Sequence, residues 1–257
     1  MEKWNGKTAI VTGASAGIGD ATVRDLVKYG INVVALARRL ERLETLKEEL
    51  KDEPGKVIPV TCDVTDKASI DAAFKEIEEK VGSIHILVNS AGMALMHGMF
   101  AEGEEELDEI ISSTINTNFL GLVRVARKGY QLIKKSEDYG IIINIGSVLG
   151  YNQSVAHPAN VYPATKAAVR AVTESMRQEL LKYEDPKIRV CEVSPGAVKT
   201  ELGGGFKNQP QIKALVESGK MHMLRSSDVS QAVLFMLMTP YDVNMTEIVL
   251  KRLGAAI

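Results

Sequence analysis

Three tyrosines in this chain stand four residues ahead of a lysine: Tyr162 and Lys166 in VYPATK, Tyr130 and Lys134 in YQLIK, and Tyr183 and Lys187 in YEDPK. On a helix that spacing turns both side chains to one face. A phenol beside a cation is a candidate general acid or base for an alcohol or carbonyl oxygen, because positive charge lowers its ordinary pKa of about 10. Spacing alone is weak evidence, since a chain with seven tyrosines produces such pairs by chance.

The neighbouring residues separate the three. Asp185 and Pro186 interrupt YEDPK, and the proline ends the helix and the shared face. LVRVARKGYQLIKK reads as an amphipathic helix with its lysines solvated. Tyr162 instead follows IIINIGS, a buried strand that delivers Ser147 at its carboxyl end, where a crevice-facing hydroxyl belongs. Pro163 fits only near a helix start, and a phenol there lies at the positive end of the helix dipole.

A second constellation is TGASAGIG, Thr12 to Gly19, which follows the first apolar run and opens a helical stretch near Ile18. Glycines 13, 17 and 19 permit a tight turn and let backbone amides approach a pyrophosphate. Gly13, Ser15, Gly17, Ile18 and Gly19 are therefore taken as cofactor-facing. The second apolar run ends at Ala37, Arg38 and Arg39, with no carboxylate to hold ribose hydroxyls and with guanidinium groups suited to a 2'-phosphate. That favours NADP(H) over NAD(H).

The elements that must position these residues alternate: KTAIVT, NVVALA, KVIPVT, IHILVN, GIIINIG, KIRVCEV and TEIVLK read as strands separated by amphipathic helices. Consecutive apolar positions suit strands covered on both faces, so the expected fold is α/β, a Rossmann-type doubly wound parallel sheet of about seven strands. The 257 residues read as one domain, with an irregular GAVKTELGGGFKNQPQ suggesting a mobile substrate loop at about 197–222. A net charge of -2 and the lack of a dense Lys/Arg tract exclude an electrostatic nucleic-acid binder. No signal peptide or membrane span is read, which points to a cytoplasmic protein without stable membrane insertion. Cys62 and Cys191 sit in strand-like runs as buried free thiols, and four scattered histidines offer no zinc site.

In order, TGASAGIG, CDVTD, NSAG, INTNFLG, INIGSVLG, YPATK and SPGAVKT resemble the short-chain dehydrogenase/reductase family over nearly the whole chain. In texture, ALARRLERLE and QAVLFMLMTP are similar to insect farnesol dehydrogenases and a vertebrate cytosolic ketosteroid reductase of that family. The resemblance implies that Ser147 orients the substrate oxygen, Tyr162 is the general acid/base, and Lys166 lowers its pKa and grips the nicotinamide ribose. Asn118 would hold a relay water; it is preferred to Asn116 because Gly121 follows at the family's spacing. Asp63 and Val64 would hold adenine, Asn89, Ala91 and Gly92 would floor the cofactor, and Pro195, Gly196, Val198 and Thr200 would brace the nicotinamide. Ser90 departs from the family's usual asparagine.

The implied activity is an NADP-dependent alcohol dehydrogenase or carbonyl reductase, with a terpenoid alcohol such as farnesol as the leading substrate. A ketosteroid or dicarbonyl reductase, and a non-catalytic NADP-binding sensor, stay open as alternatives. Met93, Met96, Met99, Met221 and Met223 hint at a pocket for a lipophilic alcohol or ketone, with core filling an equal reading for each. His157 is expected at the pocket rim. A homodimer or homotetramer is implied by resemblance.

Overall fold

Runs of β-branched and aliphatic residues with no polar alternation can be satisfied only between two layers of helix, and the sheet here is built that way. A computed structural model describes residues 1–95, 98, 100, 104–151, 161–183, 187–203 and 223–254. The strands are β1 (Thr8–Thr12), β2 (Asn32–Ala37), β3 (Val57–Thr61), β4 (Ile86–Asn89), β5 (Gly140–Ile145), β6 (Ile188–Pro195) and β7 (Glu247–Leu250). Their order is β3-β2-β1-β4-β5-β6-β7, with every pair parallel. The winding reverses between β1 and β4, which opens a crevice at the carboxyl ends of the strands.

Alternate strand residues feed two cores. Ile141 and Ile143 join the layer of α1 (Gly17–Lys28), α2 (Leu40–Glu49) and α7 (Ser226–Met238). Ile142 joins the opposite layer of α3 (Lys67–Val81), α5 (Leu122–Lys134) and α6 (Tyr162–Lys182). Cys191 belongs to the first layer and Cys62 to the second, so the sheet separates the two free thiols.

α4 (Glu104–Ile115) does not end before α5. Helical backbone continues from Ile115 to Leu122 through a π-helical turn at Asn116–Gly121. The sequence reading foresaw no such turn, because its residues are ordinary helix residues apart from Gly121. The glycine has a packing cause: a β-carbon there would stand 2.6 Å from the Val64 carbonyl oxygen. A single-turn π-helix inside an α-helix often marks a functional residue, and this one carries Asn118.

Candidate active site

At the mouth of β1 the chain turns sharply through Gly13, at φ 68°, where a β-carbon would lie 2.9 Å from Ala91 Cα. One turn later, a β-carbon on Gly19 would stand 2.4 Å from the Gly13 carbonyl oxygen. Thr12 ties this turn to the next strand, its Oγ1 accepting the N–H groups of Ser90 and Ala91, both at 3.0 Å. Ser90 thus meets Thr12 through its backbone, a bond that does not depend on the side chain. Ala16 precedes α1 without a side-chain cap, so the first N–H groups of that helix remain available to an anion.

The tip of β2 departs from the simplest sequence expectation. Arg38 is exposed, whereas Arg39 turns to the glycine loop and donates to Ser15 Oγ from Nε at 3.3 Å and from Nη2 at 3.0 Å. Arg39 also meets Glu201 at 3.2 Å, and Arg42 donates to both oxygens of Glu201 at 2.8 and 2.9 Å. Arg42 was missed by the sequence reading; its signal was the three-residue step from Arg39 along α2. Across the crevice, Asp63 Oδ1 accepts from the Thr65 N–H at 2.9 Å and hydroxyl at 2.8 Å, while Val64 is buried beside it.

β5 ends at Ile145, and Ser147 caps the short 3-10 turn that follows, its Oγ accepting the Leu149 N–H at 3.2 Å. Tyr162 opens α6 with Pro163 behind it, buried against Ala94 and Leu149 and hydrogen-bonded with Ser147. One turn on, Lys166 Nζ donates to the Ile145 carbonyl at 2.8 Å and sits 5.7 Å from the Tyr162 ring centre. Asn118 accepts the Met93 N–H at 2.8 Å and donates to the Met93 carbonyl at 2.9 Å and to Thr165 Oγ1 at 3.1 Å. Gly92 lies beside both groups: a β-carbon there would stand 3.4 Å from Asn118 Oδ1 and 3.9 Å from Lys166 Nζ, ordinary contact distances.

The electrostatics refine the expected tuning. Burial pushes the Tyr162 phenol up to about 12, and the Ser147 hydrogen bond pulls it only part of the way back. Burial draws Lys166 down to about 8, opposed by Glu192. From the protein's own groups, then, the phenol holds its proton at neutral pH while the lysine is mostly charged. The lysine's nearest hydrogen-bond partner is a carbonyl on β5 rather than the phenol, which explains why its charge does not by itself bring the phenol to neutrality.

The other two tyrosine and lysine pairs are not joined in this way. Tyr130 is half-buried against the second core while Lys134 is exposed on α5. Tyr183 follows the end of α6 and donates to Glu179 Oε1 at 2.7 Å, whereas Lys187 donates to the Glu137 carbonyl at 3.1 Å. Asp185 and Pro186 lie outside the described residues.

On the far rim, Gly196 N–H follows β6 and donates to the Leu250 carbonyl at 2.8 Å. Val198 bridges in parallel to Leu224, flanked by bonds Lys199 to Leu224 at 2.9 Å and Leu224 to Ala197 at 2.8 Å. The segment expected to be a mobile loop thus begins as a pinned strand-like stretch. Thr200 follows, its methyl group 3.1 Å from where a β-carbon of Gly17 would be. Residues 204–222 lie outside the described residues, as do Met96, Met99, Met221 and His157. Met93 is half-buried beside Asn118, with its Sδ accepting from the Thr117 hydroxyl at 3.3 Å, and Met223 is half-buried. Among the described residues no acidic, cysteine and histidine cluster could hold a metal, and no helix is long and apolar enough to cross a membrane.

Known proteins resemble this chain over nearly its whole length. The farnesol dehydrogenase of Aedes aegypti is 39% identical over 255 residues, covering 99% of each chain. Dehydrogenase/reductase SDR family member 11 of Mus musculus is 36% identical over 254 residues, covering 96% of this chain and 95% of its own. Among solved structures, an alcohol dehydrogenase of the archaeon Thermococcus sibiricus, complexed with 5-hydroxy-NADP, superposes with a TM-score of 0.80 at 27% identity, covering 98% of both chains. Residues 7–211 match the family described as short chain dehydrogenase, and with the parallel sheet and the glycine turn in place, the chain belongs to that family.

Proposed function

We propose that the protein is an NADP(H)-dependent oxidoreductase that moves hydride between the nicotinamide and a lipophilic alcohol or its carbonyl, with a terpenoid alcohol such as farnesol as substrate. The observation that carries this reading is the convergence of Ser147, Tyr162, Lys166 and Asn118 on one crevice at the carboxyl end of β5. The names of the relatives favour a terpenoid alcohol over a ketosteroid or dicarbonyl, because the farnesol dehydrogenase is similar over the full chain.

The cradle fits the cofactor. The uncapped start of α1, with Gly13, Ser15, Gly17, Ile18 and Gly19, would hold the pyrophosphate, and Arg39 with Arg42 would hold the 2'-phosphate, while Arg38 is exposed. Asp63 and Val64 would take the adenine, Asn89, Ala91 and Gly92 would form the floor, and Pro195, Gly196, Val198 and Thr200 would brace the nicotinamide side. NADP(H) bound there would supply the hydride chemistry.

The protein handles the proton. Ser147 holds the substrate oxygen against Tyr162, and the phenol gives its proton to a carbonyl oxygen during reduction or takes one from the hydroxyl during oxidation. Lys166 supplies positive charge behind the phenol. Both N–H donors of Asn118 are spent on Met93 and Thr165, so a relay water would have to donate to one of its oxygens.

Purified enzyme supplied with NADP is expected to oxidise farnesol faster than geraniol, retinol or a hydroxysteroid. A hydroxysteroid turned over best would transfer the reading to a steroid reductase, and NADPH binding without turnover of any substrate would make the protein a sensor. Tyr162→Phe should lose turnover at least a hundredfold with NADPH affinity kept within about threefold; full turnover in that variant overturns the mechanism. From the resemblance we further propose a cytoplasmic homodimer or homotetramer, which light scattering on the purified protein checks.

A further inference from the structure

A row of polar side chains crosses the sheet directly behind the catalytic residues. Asn89 on β4 pairs in register with Asn144 on β5, Asn144 with Glu192 on β6, and Glu192 with Glu247 on β7. Asn89 donates to Asn144 Oδ1 at 2.9 Å, and Asn144 donates to Thr173 on α6 at 2.9 Å, so the row faces α6. Among the described residues four buried side-chain atoms lack a hydrogen-bond partner, and three belong to this row: Asn89 Oδ1, Glu192 Oε2 and Glu247 Oε1. Ionisable carboxyls are rarely buried without a partner in a sheet that could have been apolar throughout.

Glu192 is the member nearest the chemistry. It is 2% exposed, and its Oε1 accepts the Ser194 hydroxyl at 2.6 Å. A β-carbon on Gly146 would stand 1.9 Å from that same oxygen, so the carboxyl lies flat against the Gly146 backbone. Gly146 is the single link between Ile145, whose carbonyl anchors Lys166, and Ser147.

We propose that Glu192 is a positioning residue for the active site, acting on Lys166 from the face of the sheet that α6 covers, through its seat against Gly146. The proposal rests on the reading of Lys166 as the charge behind Tyr162. The groups facing the carboxyl are Lys166, Arg170 and Arg177 of α6, Ser194 of its own strand and Glu247 of β7. Burial raises the Glu192 carboxyl, with Ser194 and the three cations opposing. As pH rises the carboxyl becomes anionic and helps keep Lys166 protonated; without it the lysine loses its proton earlier.

The test needs no substrate. In protein labelled with 13C-lysine, the Lys166 Cε resonance is assigned by its absence in Lys166→Met and followed against pH. Its midpoint, near 8 in the native protein, should fall by about one unit in Glu192→Gln, a change equal to about tenfold in proton affinity. Ser194→Ala keeps the carboxyl but removes its hydroxyl donor, and should shift the midpoint the same way by a smaller step. That second variant serves if the first does not fold. Curves that superimpose on the native one overturn the proposal, whereas loss of turnover in Tyr162→Phe bears only on the reading of the phenol.

Discussion

Asn118 and Met93 grip each other by two antiparallel hydrogen bonds, the amide of one accepting from the backbone N–H and donating to the carbonyl of the other. The π-helical turn that carries Asn118 is thereby fastened to the loop after β4, and Thr165 fastens it to α6. Asn118→Ala leaves the Met93 groups and Thr165 without these partners, at a cost of about 1–3 kcal/mol. Steady-state kinetics should show kcat reduced by about tenfold to a thousandfold, with NADPH affinity changed far less. A kcat equal to the native value would separate this turn from proton transfer.

Arg39 and Arg42 both turn to Glu201, so the cations assigned to the 2'-phosphate already hold a carboxylate. Arg39→Ala should raise KM for NADP by about tenfold to a hundredfold, the scale of a lost charge-assisted hydrogen bond, and leave KM for NAD almost unchanged. Glu201→Gln should lower KM for NADP by a few fold, because a competing anion is removed. Arg38→Asp, at an exposed position, should act more weakly than either.

Lys166 links stability to pH with a definite sign. Its pKa is about 8 in the folded protein and near 10.5 when free, so between those values the unfolded chain binds more protons. Folded stability contributed by this group therefore rises as pH increases through that window. Chemical denaturation at pH 7 and pH 9.5 should show the native protein gaining about 2 kcal/mol relative to Lys166→Met. A constant difference between the two proteins would mean that Lys166 is hydrated rather than buried.

Gly19 packs its α-carbon against the turn it helps to form. In Gly19→Ala the new methyl group meets the Gly13 carbonyl oxygen at 2.4 Å, which forces that turn to shift. Overpacking of this kind costs about 1–3 kcal/mol. The expected outcome is a lower Tm together with at least tenfold weaker NADPH binding, measured by fluorescence titration.

Burial pushes Cys62 up to about 11 and Cys191 up to about 12, so neither is a thiolate at neutral pH. A disulfide-exchange reagent should leave both thiols unmodified in the native protein over an hour and modify both after denaturation. Fast reaction of either one in the native protein would show an opening of the sheet's covering helices.

Much of the fold was legible because parallel strands covered on both faces write continuous apolar runs. All seven strands begin and end within two residues of the runs read for them, with NVVALA matching at both ends. The glycine turn was legible because close backbone approach demands glycine. Less legible were contacts set by three-dimensional register. Arg42 looked like an ordinary charge on α2, and Glu192 like a polar interruption of KIRVCEV, until β5, β7 and α6 stood around it. The π-helical turn left only Gly121 as a mark in residue type, because Val64 and Met93, the partners that crowd that glycine and hold Asn118, lie far off in sequence.

Gly121 touching the Val64 carbonyl means that two distant jobs share one wall. Val64 belongs to the loop proposed for adenine, and Gly121 closes the turn that bears Asn118. Neither end of the crevice can drift without carrying the other, so the proposed grip on the purine and the proposed exit of the proton would be gauged from a common surface.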